Sequence, residues 1–205
     1  MTCVVGIADN GMVWMGADSG AISGYDNVIS GVKKVFKKNG FIIGYTTSFR
    51  MGQILENHID YKFLAEKAKE YNNQLEFLVV EFIQAAREAL KIHGYTNIEG
   101  NTETGGTFML GFNGKLYLIA SDFQVLPLGN DQLIVFHAIG CGADYAMGAL
   151  NSTYNFTFLS DGKTREKYRD PEVLIGMALS VSSSYSYAVC EPFYALSIGE
   201  DNADS

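Results

Sequence analysis

Residues 2–19 read Thr2-Cys3-Val4-Val5-Gly6-Ile7-Ala8-Asp9-Asn10-Gly11-Met12-Val13-Trp14-Met15-Gly16-Ala17-Asp18-Ser19. Two short apolar runs, CVVGIAD (3–9) and MVWMGAD (12–18), flank Asp9-Asn10-Gly11. Asn-Gly supplies the two positive-φ positions of a tight hairpin turn, so the stretch predicts an antiparallel strand pair. Working outward, FIIGYT (41–46) is a third strand, preceded by the turn-forming Asn39-Gly40. TFMLGF (107–112) and KLYLIAS (115–121) flank Asn113-Gly114 and predict a second hairpin. QLIVFHAIG (132–140) follows Gly129-Asn130-Asp131, and PFYALSI (192–198) is the last strand.

Helices separate these strands. From Leu75 to Ile92 apolar residues recur at the 3.6 period, polar ones fill the other face, and Gly94 stops the pattern. Residues 51–69 carry a weaker helical pattern, and 143–151 predict a short helix. Asp170-Pro171 is an N-cap followed by Pro at the first helical position, opening a helix to about Ser182. The order of strands, two helices, strands, one or two helices and a strand predicts largely antiparallel sheets layered under helices.

Composition bounds the function. The chain has 205 residues, 47% of them hydrophobic and 19% charged, which suits one domain: 1–199, with 200–205 as an acidic tail. Its formal charge of −8 argues against nucleic acid as a partner, because phosphate contacts need surplus Lys and Arg. No apolar run is long enough to span a bilayer. No basic-then-apolar leader is visible, and Cys3, Cys141 and Cys190 form an odd set without short pairing. Both features predict a cytoplasmic protein with no membrane partner.

Several motifs fail on inspection. Gly16-Ala17-Asp18-Ser19-Gly20 places its serine one position too late for a nucleophile elbow. Gly140-Cys141-Gly142 lacks the third glycine and the βαβ setting of a dinucleotide loop. His58, His93 and His137 lie far apart in sequence with no metal-ligand spacing, so no metal or other cofactor is expected. Thr2 is different, because a small residue after Met1 favours removal of the initiator. The mature chain would then carry a hydroxyl nucleophile and a free amine on one residue. An α-amine, with a pKa of about 7.7–8.0, can act as general base at neutral pH.

The chain resembles the proteasome β-subunits and HslV, within the N-terminal-nucleophile (Ntn) hydrolases. TCVVGIADNGMVWMGADS is similar to the family's opening, VKKVFK (32–37) to its next motif and FIIGYTTS (41–48) to its following strand. AIGCGADYAMGAL (138–150) resembles its Gly-Ser-Gly segment and short helix. Sixteen positions separate Thr2 from Asp18, and sixteen more separate Asp18 from Lys34, matching the family spacing.

The resemblance implies an α+β fold, a four-layer αββα sandwich of two antiparallel sheets flanked by helices. It implies Thr2 as nucleophile, Lys34 as the cation that keeps the amine neutral, Asp18 as its partner and the Ser48 N–H as oxyanion donor. Ser19 and Cys141 would support these groups. Ala21, Val32, Phe36, Thr46 and Arg50 would line the substrate pocket, with a basic edge at Arg50. Gly20 stands where many relatives have Arg, and Cys141 where many have Ser; the family's Asp-x-x-Ser element before the last strand is not visible. By residue type alone Asp18 and Lys34 read rather as a structural ion pair and Thr2 as an ordinary strand residue; the order and spacing of the four motifs reverse that reading.

The implied function is a threonine peptidase acting on peptides or unfolded proteins in a homo-oligomeric ring, with an ATPase as partner. A small-molecule amidase and a non-catalytic ring scaffold are the alternatives, since one fold hosts several activities.

Overall fold

The computed structural model describes residues 2–23, 26–129, 134–159 and 170–199. Met1, the Asn130-Asp131 turn and the tail 200–205 lie outside the described residues. The strands are β1 (Cys3–Asp9), β2 (Met12–Ala17), β3 (Gly20–Ser23), β4 (Asp26–Ile29), β5 (Val35–Lys38) and β6 (Phe41–Tyr45). Helices α1 (Phe49–Asn57), α2 (Tyr61–Ala68) and α3 (Gln74–Phe77) follow, then a π-helical turn (Leu78–Phe82) and α4 (Ile83–Ile92). Next come β7 (Asn97–Glu99), β8 (Thr102–Thr104), β9 (Phe108–Phe112), β10 (Lys115–Ile119), β11 (Val125–Pro127) and β12 (Ile134–Gly140). Helices α5 (Ala143–Leu159) and α6 (Pro171–Tyr185) and strand β13 (Tyr194–Gly199) complete the order.

Two antiparallel sheets carry the molecule, ordered β12-β1-β2-β13 and β11-β10-β9-β6-β5. The β1–β2 hairpin pairs Asp9 with Met12 and Val4 with Ala17. Its turn, and those at 39–40 and 113–114, place both Asn and Gly at positive φ, as a two-residue hairpin loop requires.

Both sheets are buried on both faces, which is why the strands read as unbroken apolar runs. Along β1, Cys3, Val5 and Ile7 pack under α5 and α6, whereas Val4 and Ala8 face the other sheet. In the second sheet, Phe41, Ile43, Phe108, Leu110 and Phe112 pack under α1–α4, and Ile42 and Met109 face inward. The layers are therefore αββα, with one apolar core between the sheets and one under each helical layer. Gly44 permits a close inter-sheet approach: a Cβ there would lie 2.5 Å from Met15 Sδ and Val4 Cγ1.

Some boundaries differ from expectation for local reasons. The 51–69 stretch is two helices, because Asp60 caps a new start by accepting from the Phe63 N–H at 2.9 Å. The helix after Gln74 contains a π turn, and α5 and α6 run on to Leu159 and Tyr185. The β7–β8 hairpin has no apolar alternation, since all of β7 is exposed. Among the described residues no helix is long and apolar enough to cross a membrane.

Candidate active site

Thr2 immediately precedes β1, and Asp18 immediately follows β2. Antiparallel pairing brings these strand ends side by side, with the Asp18 N–H on the Cys3 carbonyl at 3.3 Å. Lys34 precedes β5 in the other sheet and reaches across the gap. Its Nζ stands 2.8 Å from Asp18 Oδ1, which also accepts from the Thr2 hydroxyl at 2.9 Å and the Cys3 N–H at 2.9 Å. Asp18 Oδ2 accepts from the Gly20 and Cys190 N–H groups at 2.8 and 3.3 Å. Every partner is a donor, the pattern that an ionised carboxylate needs. Thr2, Asp18 and Lys34 are 3%, 0% and 2% exposed, so the ion pair is sealed from water.

Burial lowers the Lys34 pKa from its ordinary value more than the Asp18 charge and hydrogen bond raise it. The Phe49 ring offers the ammonium a further electrostatic contact, with its centroid at 5.8 Å. Burial pushes the Cys3 thiol up to about 12, which leaves it unreactive at neutral pH.

Thr2, Lys34, Ile22, Tyr45, Thr46, Thr47, Ser48 and Phe49 line a small cavity of about 80 Å³. Ser48 is the N-cap of α1, its hydroxyl accepting from the Arg50 N–H at 3.1 Å. The Ser48 N–H donates to the Thr46 carbonyl at 2.7 Å, closing a three-residue turn around Thr47. Thr47 has φ +66, a costly conformation for a β-branched residue. The expected oxyanion donor thus lies at the cavity but is engaged within its own loop.

The remaining sequence-predicted residues divide. Ser19 is buried and donates to the Pro192 carbonyl at 2.5 Å. The Cys141 thiol lies 3.3 Å from the Thr2 carbonyl and 3.7 Å from the Ser186 hydroxyl. Thr46 lines the cavity, but Ala21, Val32, Phe36 and Arg50 are not among its lining residues. Phe36 is buried under the helices against Tyr61, because alternation along β5 turns Val35 to the inter-sheet side. Arg50 donates to the His93 carbonyl at 2.6 Å, so its charge ties α1 to the end of α4 rather than edging the cavity. Gly20, in place of the family's Arg, has a Cβ position 2.9 Å from the Ala188 carbonyl oxygen and 3.0 Å from Asp18 Oδ2, leaving little room for a side chain.

Two histidines that are far apart in sequence come together in space. His58 and His93 are neighbours, ring centroids 3.7 Å apart, because they terminate α1 and α4. Among the described residues no group of three or more His, Cys, Asp or Glu could hold a metal ion.

Sequence reasoning missed Tyr45, Tyr194, Ile22, Phe49 and Ser182. The buried Ser182 hydroxyl lies 2.8 Å from the Ala178 carbonyl and 3.0 Å from the Gly142 carbonyl, so it can donate to either, in its own helix or in the loop beside Thr2. Its position on the otherwise apolar buried face of α6 is the one sequence signal that could have flagged it.

The architecture has solved counterparts. Thiobacillus denitrificans BPH, solved alone and in complex with epoxomicin, superposes with a TM-score of 0.67 at 15% identity, over 98% of this chain and 100% of that one. Eukaryotic HslV from Trypanosoma brucei gives 0.65 at 18%, over 97% and 99%. This chain has their fold. The Anbu (Gly-1) mutant from Hyphomicrobium sp. strain MC1 gives 0.65 at 17%, over 100% of this chain and 84% of that one. No protein-family model matches the sequence, and no curated protein does. The likeness to HslV and proteasome-like chains is therefore one of fold, at a level where sequence similarity alone is faint.

Proposed function

We propose that this chain is an N-terminal-nucleophile threonine peptidase, with Thr2 as nucleophile once Met1 is removed. One observation carries the reading. The Thr2 hydroxyl and Lys34 ammonium meet on a single buried carboxylate oxygen, beside a cavity that both residues line.

A free Thr2 amine would take the hydroxyl proton as Oγ attacks a substrate carbonyl carbon. Lys34 beside it disfavours an ammonium at Thr2 and stabilises the developing alkoxide. Asp18 holds both donors in register. The Ser48 N–H would exchange the Thr46 carbonyl for the oxyanion of the tetrahedral intermediate. Collapse transfers the amine's proton to the leaving nitrogen and gives a Thr2 ester. Water, activated by the same amine, then hydrolyses the ester and restores the hydroxyl.

Peptides or unfolded chains are the proposed substrates, and a homo-oligomeric ring in the cytoplasm the proposed setting. An ATPase partner belongs to the same reading by resemblance to HslV. The engaged Ser48 N–H favours a second reading, a non-catalytic ring scaffold.

Intact mass after expression reports whether Met1 is lost. On the processed chain, epoxomicin, the compound bound in the BPH complex, should add its mass at Thr2. Thr2→Ala should abolish both labelling and hydrolysis of a fluorogenic peptide while light scattering still shows assembly. Processed protein that neither labels nor hydrolyses, yet assembles, would establish the scaffold instead.

A further inference from the structure

Lys34 enters the site from outside both sheets. Residues 31–33 are exposed, and Lys34 is the first buried residue after them. A lysine at the edge of a loop has a long, rotatable stem, so the position of its ammonium depends on how firmly the backbone beneath it is held. Here one peptide group does the holding. The Lys33 carbonyl accepts from the Tyr45 hydroxyl at 3.0 Å, and the Lys34 N–H donates to the Tyr194 hydroxyl oxygen. Tyr45 ends β6 in the five-stranded sheet, and Tyr194 begins β13 in the four-stranded sheet. The two ends of a single peptide unit are therefore tied to different sheets.

We infer that Tyr45 and Tyr194 are positioning residues, a pair of phenol hydroxyls that clamp the Lys33–Lys34 peptide across the seam between the sheets and so set where the Lys34 ammonium stands relative to Thr2. The inference rests on the proposed role of Lys34, and it assigns neither tyrosine to the reacting atoms. Both rings are themselves constrained. Tyr45 is 2% exposed and packs where α1 has Gly52, whose absent Cβ leaves room for the ring. Tyr194 packs at the margin of the inter-sheet core, with the Lys33 ammonium 5.7 Å from its ring centroid. Burial raises the pKa of both phenols, so each keeps its proton wherever a neutral amine could work. The Tyr45 N–H also donates to the Lys34 carbonyl at 3.0 Å, so the lysine is held on both sides. The titratable groups acting on Lys34 are Asp18, Cys141 and Cys190.

The test uses processed protein carrying Tyr194→Phe, Tyr45→Phe or both, each removing one hydroxyl and keeping the ring. Tyr194→Phe should lower kcat about tenfold, the effect of one lost hydrogen bond to a group whose placement matters, with KM unchanged. The double variant should be little worse than the weaker single, because both hydroxyls act through one peptide. Loss of thermal stability with kcat per folded molecule and the pH profile unchanged would mean a merely structural role and would overturn the inference.

A second readout needs no turnover. In protein with 13C-labelled lysine, the Lys34 Cε resonance, assigned with Lys34→Arg, reports the ammonium's titration. Loosening the peptide admits water, so its midpoint should move up toward the ordinary lysine value in either variant. An unmoved midpoint in both overturns the clamp. A wild type that hydrolyses nothing refutes the proposed activity, yet leaves this titration to decide the clamp.

Discussion

The two ends of the sandwich use positive φ for different purposes. At one end the hairpin turns place Asn10, Asn39 and Asn113 at φ values of 47, 42 and 45. Asn tolerates that region, and a glycine follows each time, so these turns close the strands with little strain. At the other end Thr47 holds φ +66 within the loop that lines the cavity. A β-branched residue does not choose that conformation on its own, and the surrounding loop imposes it. Each of those hairpin turns is closed by contacts between near neighbours. The site end is built from contacts between residues 16, 139 and 160 positions apart. Local chemistry closes a fold, whereas long-range contacts hold a residue where its own preference would not.

The largest test of this contrast is Asp18→Ala. It leaves Lys34 buried without its anion, and a broken buried pair costs about 3–5 kcal/mol. Urea unfolding should show that loss, and Asp18→Asn with Lys34→Met should lose less than the two single changes summed. A cost below that of an exposed pair would mean that the site end is not sealed. Next in size is the turn end. Asn10→Ala puts a Cβ-bearing residue that lacks Asn's tolerance at φ 47, and should cost about 1–2 kcal/mol. Peptide hydrolysis per folded molecule should not change.

Thr47→Gly runs the other way. Relief of the left-handed strain, set against the greater freedom of an unfolded glycine, should raise stability by about 1 kcal/mol or less. It should also alter turnover, since the turn that engages the Ser48 N–H would loosen. Gained stability with unchanged kcat would separate the strain from function. The smallest effect is on pH dependence. The pKa of Lys34 is lowered in the fold from 10.5, so between the folded value and 10.5 the unfolded chain binds more protons. Stability from this group is therefore fully present above 10.5 and is lost as pH falls through the folded value. Lys34→Met should flatten that slope in paired urea titrations of variant and wild type.

Much of the fold was legible because its signals are local. Each Asn-Gly pair marks a hairpin, and Asp170-Pro171 marks the start of α6. The helix break at Asp60 was less visible, because Asp is tolerated on a helix surface and becomes a cap only when the chain turns there. For the site, the family spacing led to Thr2, Asp18 and Lys34, and the structure brings these three residues together. Of the five residues matched to the family's pocket, Thr46 lines the cavity beside Thr2 and the other four do not. Phe36 and Arg50 occupy matching positions but serve the helix-side core and the α4 terminus instead. A side chain's use depends on what faces it, and that is absent from the pattern.

By itself, then, the sequence determined the strand ends, the turn chemistry and the two-faced burial of β1 and β2, because hydrogen bonding and hydrophobic periodicity act between near neighbours. Only the tertiary structure decided that Tyr45 and Tyr194 meet one peptide, that the His58 and His93 rings meet at a tilt and that the Ser48 N–H is already engaged. Each of those contacts joins elements whose relative placement is set by packing two sheets through a shared core, a balance over many residues that no short segment encodes.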